Sequence, residues 1–221
     1  MNAIINEPRR MNPLLRLGIF VAERTMGRAA VPARLLAWSP RTALGAGMLE
    51  ATATHRIPGL GHRQLKLARL TASLTSNCAF CIDMNAHAHR EASLSDREVC
   101  ALRDGTEAAE PGFSVAERLI IAYARGLSST PLAVEDELLA QMTETFDEHQ
   151  LVVLAATIAS VNYWARFNHG LGVPPAGFGD HCLWLGPQGG DGNSTDIGPV
   201  PQLDGADRPD ESCRDSRLGL R

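Results

Sequence analysis

Cys78 and Cys81 stand one helical turn apart in SNCAFCIDMNAHAHRE (residues 76–91), and His87 and His89 follow within a few residues. Three chemistries fit such a stretch: a redox dithiol, a metal clip, or two small hydrophobes beside surface histidines. Asn77 reads as the N-cap of a helix through AFCIDMNAHAHREA, which puts both thiols in its first turn. The partial positive charge there favours thiolate, and C-x-x-C spacing allows a disulfide to close. A zinc clip needs four ligands, usually with a second C-x-x-C or an H-x-x-x-H, and no second pair follows. His87 lies six residues past Cys81, well round the helix. His89 lies eight past, back near the thiol face but two turns down the axis, too far to share one tetrahedral ion. Both read as surface histidines. Cys100, inside EVCALR, reads as a packed small hydrophobe. The pattern favours redox chemistry over packing and over metal, and leaves all three open.

The elements that must hold this stretch are helical. Asn12-Pro13 reads as an N-cap and first helical position, with Gly27 as the stop. Pro32 opens a helix over ARLLAW, and RTALGAGMLEATATH reads as another. RQLKLARLTASLT places Leu67, Leu70 and Leu74 on one face at spacings of three and four. Ser95-x-x-Glu98 and Ser114-x-x-Glu117 are capping boxes, with Gly105 and Gly126 as the matching stops. Asp147-x-x-Gln150 caps EHQLVVLAATIASVNYWARFNHG, the longest apolar run. No alternating strand pattern competes. From Gly179 the chain turns rich in Gly, Pro and Asp, a composition that reads as a disordered tail carrying Cys182 and Cys213.

The totals exclude several classes. Among 221 residues, 44% are hydrophobic, enough for a buried core, while a net charge of −4 and no basic stripe argue against nucleic acid. The run LLRLGIFVAERTMG is too short and too charged for a bilayer span and lacks a signal-peptide cleavage site. Its Leu14, Leu17, Phe20 and Val21 read as a face for a core or a second subunit. Five unevenly spread cysteines are not a secreted disulfide framework, so the cytoplasm is the expected compartment.

RLTASLTSNCAFCIDMNAHAHREASLSDREVCALRDG resembles the core of the carboxymuconolactone decarboxylase and alkylhydroperoxidase D-like superfamily. The marks are C-x-x-C after a small polar residue, then CID, then a helix break with LS and a capping box. VNYWARFNHGLGVPPAGF is similar to the segment that closes the domain in many members. The resemblance covers residues 40–178, with residues 1–39 as a helical extension and 179–221 as the tail. It implies an all-α fold assembling as trimers or hexamers. It also implies that Cys81 attacks a hydroperoxide and Cys78 resolves the sulfenic acid. The family's fuller motif has a glutamate twelve residues before the first cysteine and a histidine four after the second. Lys66 and Asn85 stand at those positions here. Lys66 would support a thiolate by charge, Asn85 by a hydrogen bond, and His89 through water, but the family's proton relay is absent as such.

The expectation is a slow peroxiredoxin-type oxidoreductase, or a general disulfide reductase, with catalytic Cys81 and Cys78 and neither cofactor nor metal. Its partners would be a hydroperoxide, a dithiol protein or small thiol as reductant, and copies of itself, with no nucleic acid and no membrane. Two alternatives stand beside it. One is a decarboxylase or lactone-processing enzyme on the same fold, which would need acid–base residues. The other is a non-catalytic oligomeric redox sensor.

Overall fold

A computed structural model describes residues 3–178, residues 54 and 88 excepted. The tail, with Cys182 and Cys213, lies outside the described residues. The helices run α1 (Pro13–Met26), α2 (Val31–Leu36), α3 (Pro40–Ala53), α4 (His62–Thr75), α5 (Ala79–Ala86), α6 (Asp96–Asp104), α7 (Val115–Ser128), α8 (Asp136–Thr145) and α9 (Glu148–Leu171). No β-strand occurs among the described residues, as the periodicity implied.

The helix ends follow local chemistry. Asn12 caps α1 by accepting from the Leu14 amide at 2.9 Å, and Gly27 ends it in the left-handed region. All three capping boxes form, Ser95–Glu98 on α6, Ser114–Glu117 on α7 and Asp147–Gln150 on α9. Gly105 terminates α6 as expected. Gly126 does not terminate α7, which runs on to Ser128. A Cβ at Gly126 would meet the Ala133 carbonyl oxygen at 2.5 Å. The glycine therefore serves a close approach of the following loop, not a helix end.

α4 is the wall shared by the cores. Leu65, Ala68 and Ala72 pack with Ile120 and Ala124 of α7, Met142 of α8 and Leu154, Ile158 and Val161 of α9. Leu67, Leu70 and Leu74 face the other way, into a cluster with Ala86, Leu94, Val99, Leu102 and Ile121. A helix with apolar residues on two sides is buried on both. Between them runs a stripe at spacings of four, three and four: His62, Lys66, Arg69 and Ser73. Three of those four residues meet α5 or the turn after it.

α1 behaves differently. None of its residues is buried, and Leu14, Leu17, Phe20 and Val21 all point outward. Leu44 and Met48 of α3 are exposed as well. The α1 face is therefore not spent on the core of the described residues. No described helix is long and apolar enough to cross a membrane.

Candidate active site

α5 begins one residue later than the sequence suggests. Asn77 is not the N-cap; it takes a left-handed conformation (φ 49), which asparagine tolerates, and turns the chain out of α4. Cys78 is the N-cap, and its Sγ accepts from the Cys81 amide at 3.3 Å. Cys81 thus sits at the third helical position, with the Cα atoms of the pair 5.2 Å apart and the sulfurs bonded. Both cysteines are buried, at 2% and 1% exposure, among Leu35, Phe80, Ala165 and Val173.

Asn85, one turn beyond Cys81, is buried and fully engaged. Its Nδ2 donates to Ser73 Oγ (2.9 Å) and to the Cys81 carbonyl (3.0 Å), and its Oδ1 accepts from Arg69 Nε (3.1 Å). Arg69 continues to Glu50 at 2.8 Å, whose other oxygen accepts from Trp164 Nε1 at 3.0 Å. The expected hydrogen bond from Asn85 therefore reaches the backbone of Cys81, while its side-chain groups orient a network of α3, α4, α5 and α9.

Lys66 points elsewhere. Its Nζ donates to the His87 carbonyl at 2.8 Å, at the far end of α5, roughly 9 Å along the axis from Cys81. It lines a cavity of about 320 Å³ with His62, Met84, His87, Glu91 and Phe178. Burial, with Arg69 nearby, pushes the lysine down to about 8 although Glu91 opposes this. His87 is exposed, as expected, and stacks on Phe178 with ring centroids 4.6 Å apart. His89 corrects the sequence reading. It is buried, and its two ring nitrogens meet the Ala86 carbonyl (3.0 Å) and Asp96 (2.6 Å). That engagement holds it to the start of α6 rather than to a sulfur. Cys100 is half-buried on α6, not fully packed.

Two residues escaped the sequence reading. Asp83 is buried on α5, and its Oδ2 accepts from the amides of Gly177 (2.5 Å) and Phe178 (3.0 Å), tying the segment after α9 across the dithiol helix. Asn168 approaches both sulfurs, with its Nδ2 3.5 Å from Cys81 Sγ and 3.7 Å from Cys78 Sγ. A signal for Asn168 existed. Val161, Ala165 and Asn168 recur at spacings of four and three on the buried face of α9, so an amide occupies a core position. Among the described residues no three His, Cys, Asp or Glu side chains converge as metal ligands.

The helical arrangement of the described residues has solved counterparts. A peroxidase-related protein with an alkylhydroperoxidase AhpD core from Ralstonia eutropha JMP134 superposes with a TM-score of 0.68, at 13% identity over 79% of this chain and 93% of its own. The debrominase Bmp8, solved with 2,3,4-tribromopyrrole, gives 0.66 at 19% identity, covering 78% of this chain and 91% of that one. A putative antioxidant defence protein AhpD from Agrobacterium tumefaciens gives 0.57 at 23% identity, over 63% and 94%. The fold is that of the alkylhydroperoxidase D-like proteins. The AhpD-like expectation from the dithiol stretch is thereby met for the fold. Among curated proteins, the uncharacterized protein YdfG of Bacillus subtilis (strain 168) is 28% identical over 108 residues, spanning 48% of this chain and 72% of YdfG. No family model matches the chain.

Proposed function

We propose that the protein is a thiol-dependent oxidoreductase that reduces hydroperoxides through Cys81 and Cys78. The observation that carries this reading is the buried, bonded Cys78–Cys81 pair at the start of α5. Cys81 thiolate attacks the distal peroxide oxygen, the O–O bond breaks, and the alcohol or water leaves with one proton taken up. Cys78 thiol then condenses with the Cys81 sulfenic acid, releasing water and forming the disulfide. A dithiol protein or small thiol restores the pair by exchange, becoming oxidised itself. Asn85 is turned to Ser73 and the Cys81 carbonyl, and Lys66 to the His87 carbonyl, so neither relay position supplies a base at the sulfur. Slow turnover follows from that arrangement.

Residues 40–178 would form the catalytic unit and residues 1–39 its helical extension, working in the cytoplasm. The outward apolar residues of α1 and α3 support assembly through copies of the chain into a trimer or hexamer, which light scattering would reveal.

The test is hydroperoxide consumption with a supplied dithiol. Wild type should turn over; Cys78→Ser should consume one equivalent and leave a dimedone-reactive Cys81; Cys81→Ser should do neither. Consumption by Cys81→Ser at the wild-type rate would sink the assignment. The same dithiol supports a second reading, reductive debromination, because the Bmp8 debrominase shares this fold. Bromide release from a bromopyrrole in the absence of hydroperoxide turnover would select it.

A further inference from the structure

We propose that Asn168 holds the reduced dithiol, donating its amide N–H to the Cys81 thiolate and accepting the Cys78 S–H through Oδ1. The proposal rests on the reading that this pair cycles between disulfide and dithiol. Asn168 is 2% exposed and is placed by the last turn of α9, where the Val173 amide returns to its carbonyl at 2.9 Å. Its Nδ2 contacts both sulfurs, nearer to Cys81. Its Oδ1 is buried and has no hydrogen-bond partner among the described residues. An amide oxygen left buried and unpaired forfeits its hydration without a replacement bond, so such a group calls for a physical account.

The oxidation state supplies one. A disulfide sulfur has no hydrogen to give, so Oδ1 stays orphaned while the pair is bonded. When a dithiol reductant delivers two electrons, the S–S bond breaks and the reductant becomes a disulfide. Of the two protons the reductant gives up, one goes to Cys78 Sγ and the other to solvent, leaving Cys81 as thiolate. The Cys78 S–H then has a buried, unpaired acceptor on the side chain that already touches its sulfur, and the Cys81 thiolate a donor at the distance of the present contact. Cys78 Sγ keeps the Cys81 amide as its own donor. Thus every polar atom of the cluster is satisfied only in the reduced form. Asn168 in this role biases the couple towards dithiol and selects Cys81 as the ionised thiol. It supplies a donor that neither Lys66 nor Asn85 directs at the sulfur.

The test uses the full chain, wild type against Asn168→Leu and Asn168→Asp, the first removing both polar atoms and the second removing the donor at the same shape. Iodoacetamide alkylation of reduced protein, followed by peptide mapping of Cys81 across pH, should fall about tenfold at neutral pH in Asn168→Leu and further in Asn168→Asp, where a carboxylate faces the thiolate. Equilibration in glutathione buffers should show the Asn168→Leu pair about tenfold harder to reduce, a shift of about 30 mV to more negative potential. In the wild type the Asn168 side-chain amide protons should move downfield on reduction, a readout that needs no variant to fold. Superimposable alkylation curves and equal potentials in a folded variant would overturn the proposal. So would an Asn168 amide signal that ignores reduction, or a pair that no reductant opens. No hydroperoxide enters these measurements, so a clamp confirmed in a protein without peroxidase turnover would refute the peroxidase reading alone.

Discussion

Arg63 and Arg69 lie six residues apart on α4, both with carboxylate partners, yet they end in opposite conditions. Arg63 spends its whole guanidinium on protein. It meets Glu117 at 2.6 Å and Glu98 at 2.5 Å, and it also donates to the carbonyls of Ser93 and, at 3.2 Å, Gly112. Those glutamates are the capping-box residues of α7 and α6, so one side chain ties three helix starts together. Arg69 meets Asn85 and Glu50, but its Nη1 is buried without a hydrogen-bond partner among the described residues. Asn168 Oδ1, beside the dithiol, shares that condition, as does Thr71 Oγ1 on α4. Arg63 thus closes its network completely, whereas Arg69 leaves one buried donor open, and such unsatisfied groups are few in folded proteins.

The largest expected effect comes from Arg63→Met. It strands two buried carboxylates and should cost about 3–5 kcal/mol, read as a lower unfolding midpoint. The pH dependence has a definite sign. Burial pushes Glu98 and Glu117 up, but Arg63 and the backbone amides of Ser95 and Ser114 outweigh it and hold both below the usual value of 4.5. Their contribution is therefore full above about 4.5 and is lost as pH falls through the lowered folded values. Arg63→Met should flatten that acid limb. An acid limb unchanged from wild type would refute the clamp.

Arg69→Met should cost less stability, about 1–3 kcal/mol, because one of its groups is already unpaired. It should, however, alter Cys81 alkylation, since Asn85 loses the partner that orients it against the Cys81 carbonyl. An Arg69 variant as unstable as the Arg63 variant, with thiol reactivity intact, would break the contrast between the two arginines.

Lys66→Met should give the smallest change, and in the opposite direction. Burial is the main reason the ammonium form is disfavoured and the folded value falls to about 8 from 10.5. The wild type therefore bears a penalty at neutral pH that fades as pH rises from about 8 to about 10.5. Removing the amine should stabilise by about 1–2 kcal/mol at pH 7 and by almost nothing near pH 10.5. Denaturant melts at those two values check it; a loss of stability at both would mean the bond to the His87 carbonyl outweighs the burial.

Local chemistry was readable along the chain. The capping boxes at Ser95, Ser114 and Asp147, the left-handed stop at Gly105 and the apolar faces of α4 each depend on residues within a few positions, and each formed. The dithiol and the resemblance around it pointed to the AhpD-like fold for the same reason. Misreadings arose where a contact outside the helix itself outcompeted the local rule. Gly126 looked like a stop, but the Ala133 carbonyl needs the space its missing Cβ leaves. His89 looked like a surface residue, but Asp96 draws it inward. The Arg63 clamp reaches 54 residues to Glu117, and Asn168 lies 87 residues from Cys81. Periodicity can flag Asn168 as an amide in a core stripe, yet nothing within α9 says that the stripe faces sulfur. Pairings over such separations are chosen by how helices pack, because packing alone decides which buried polar groups find each other.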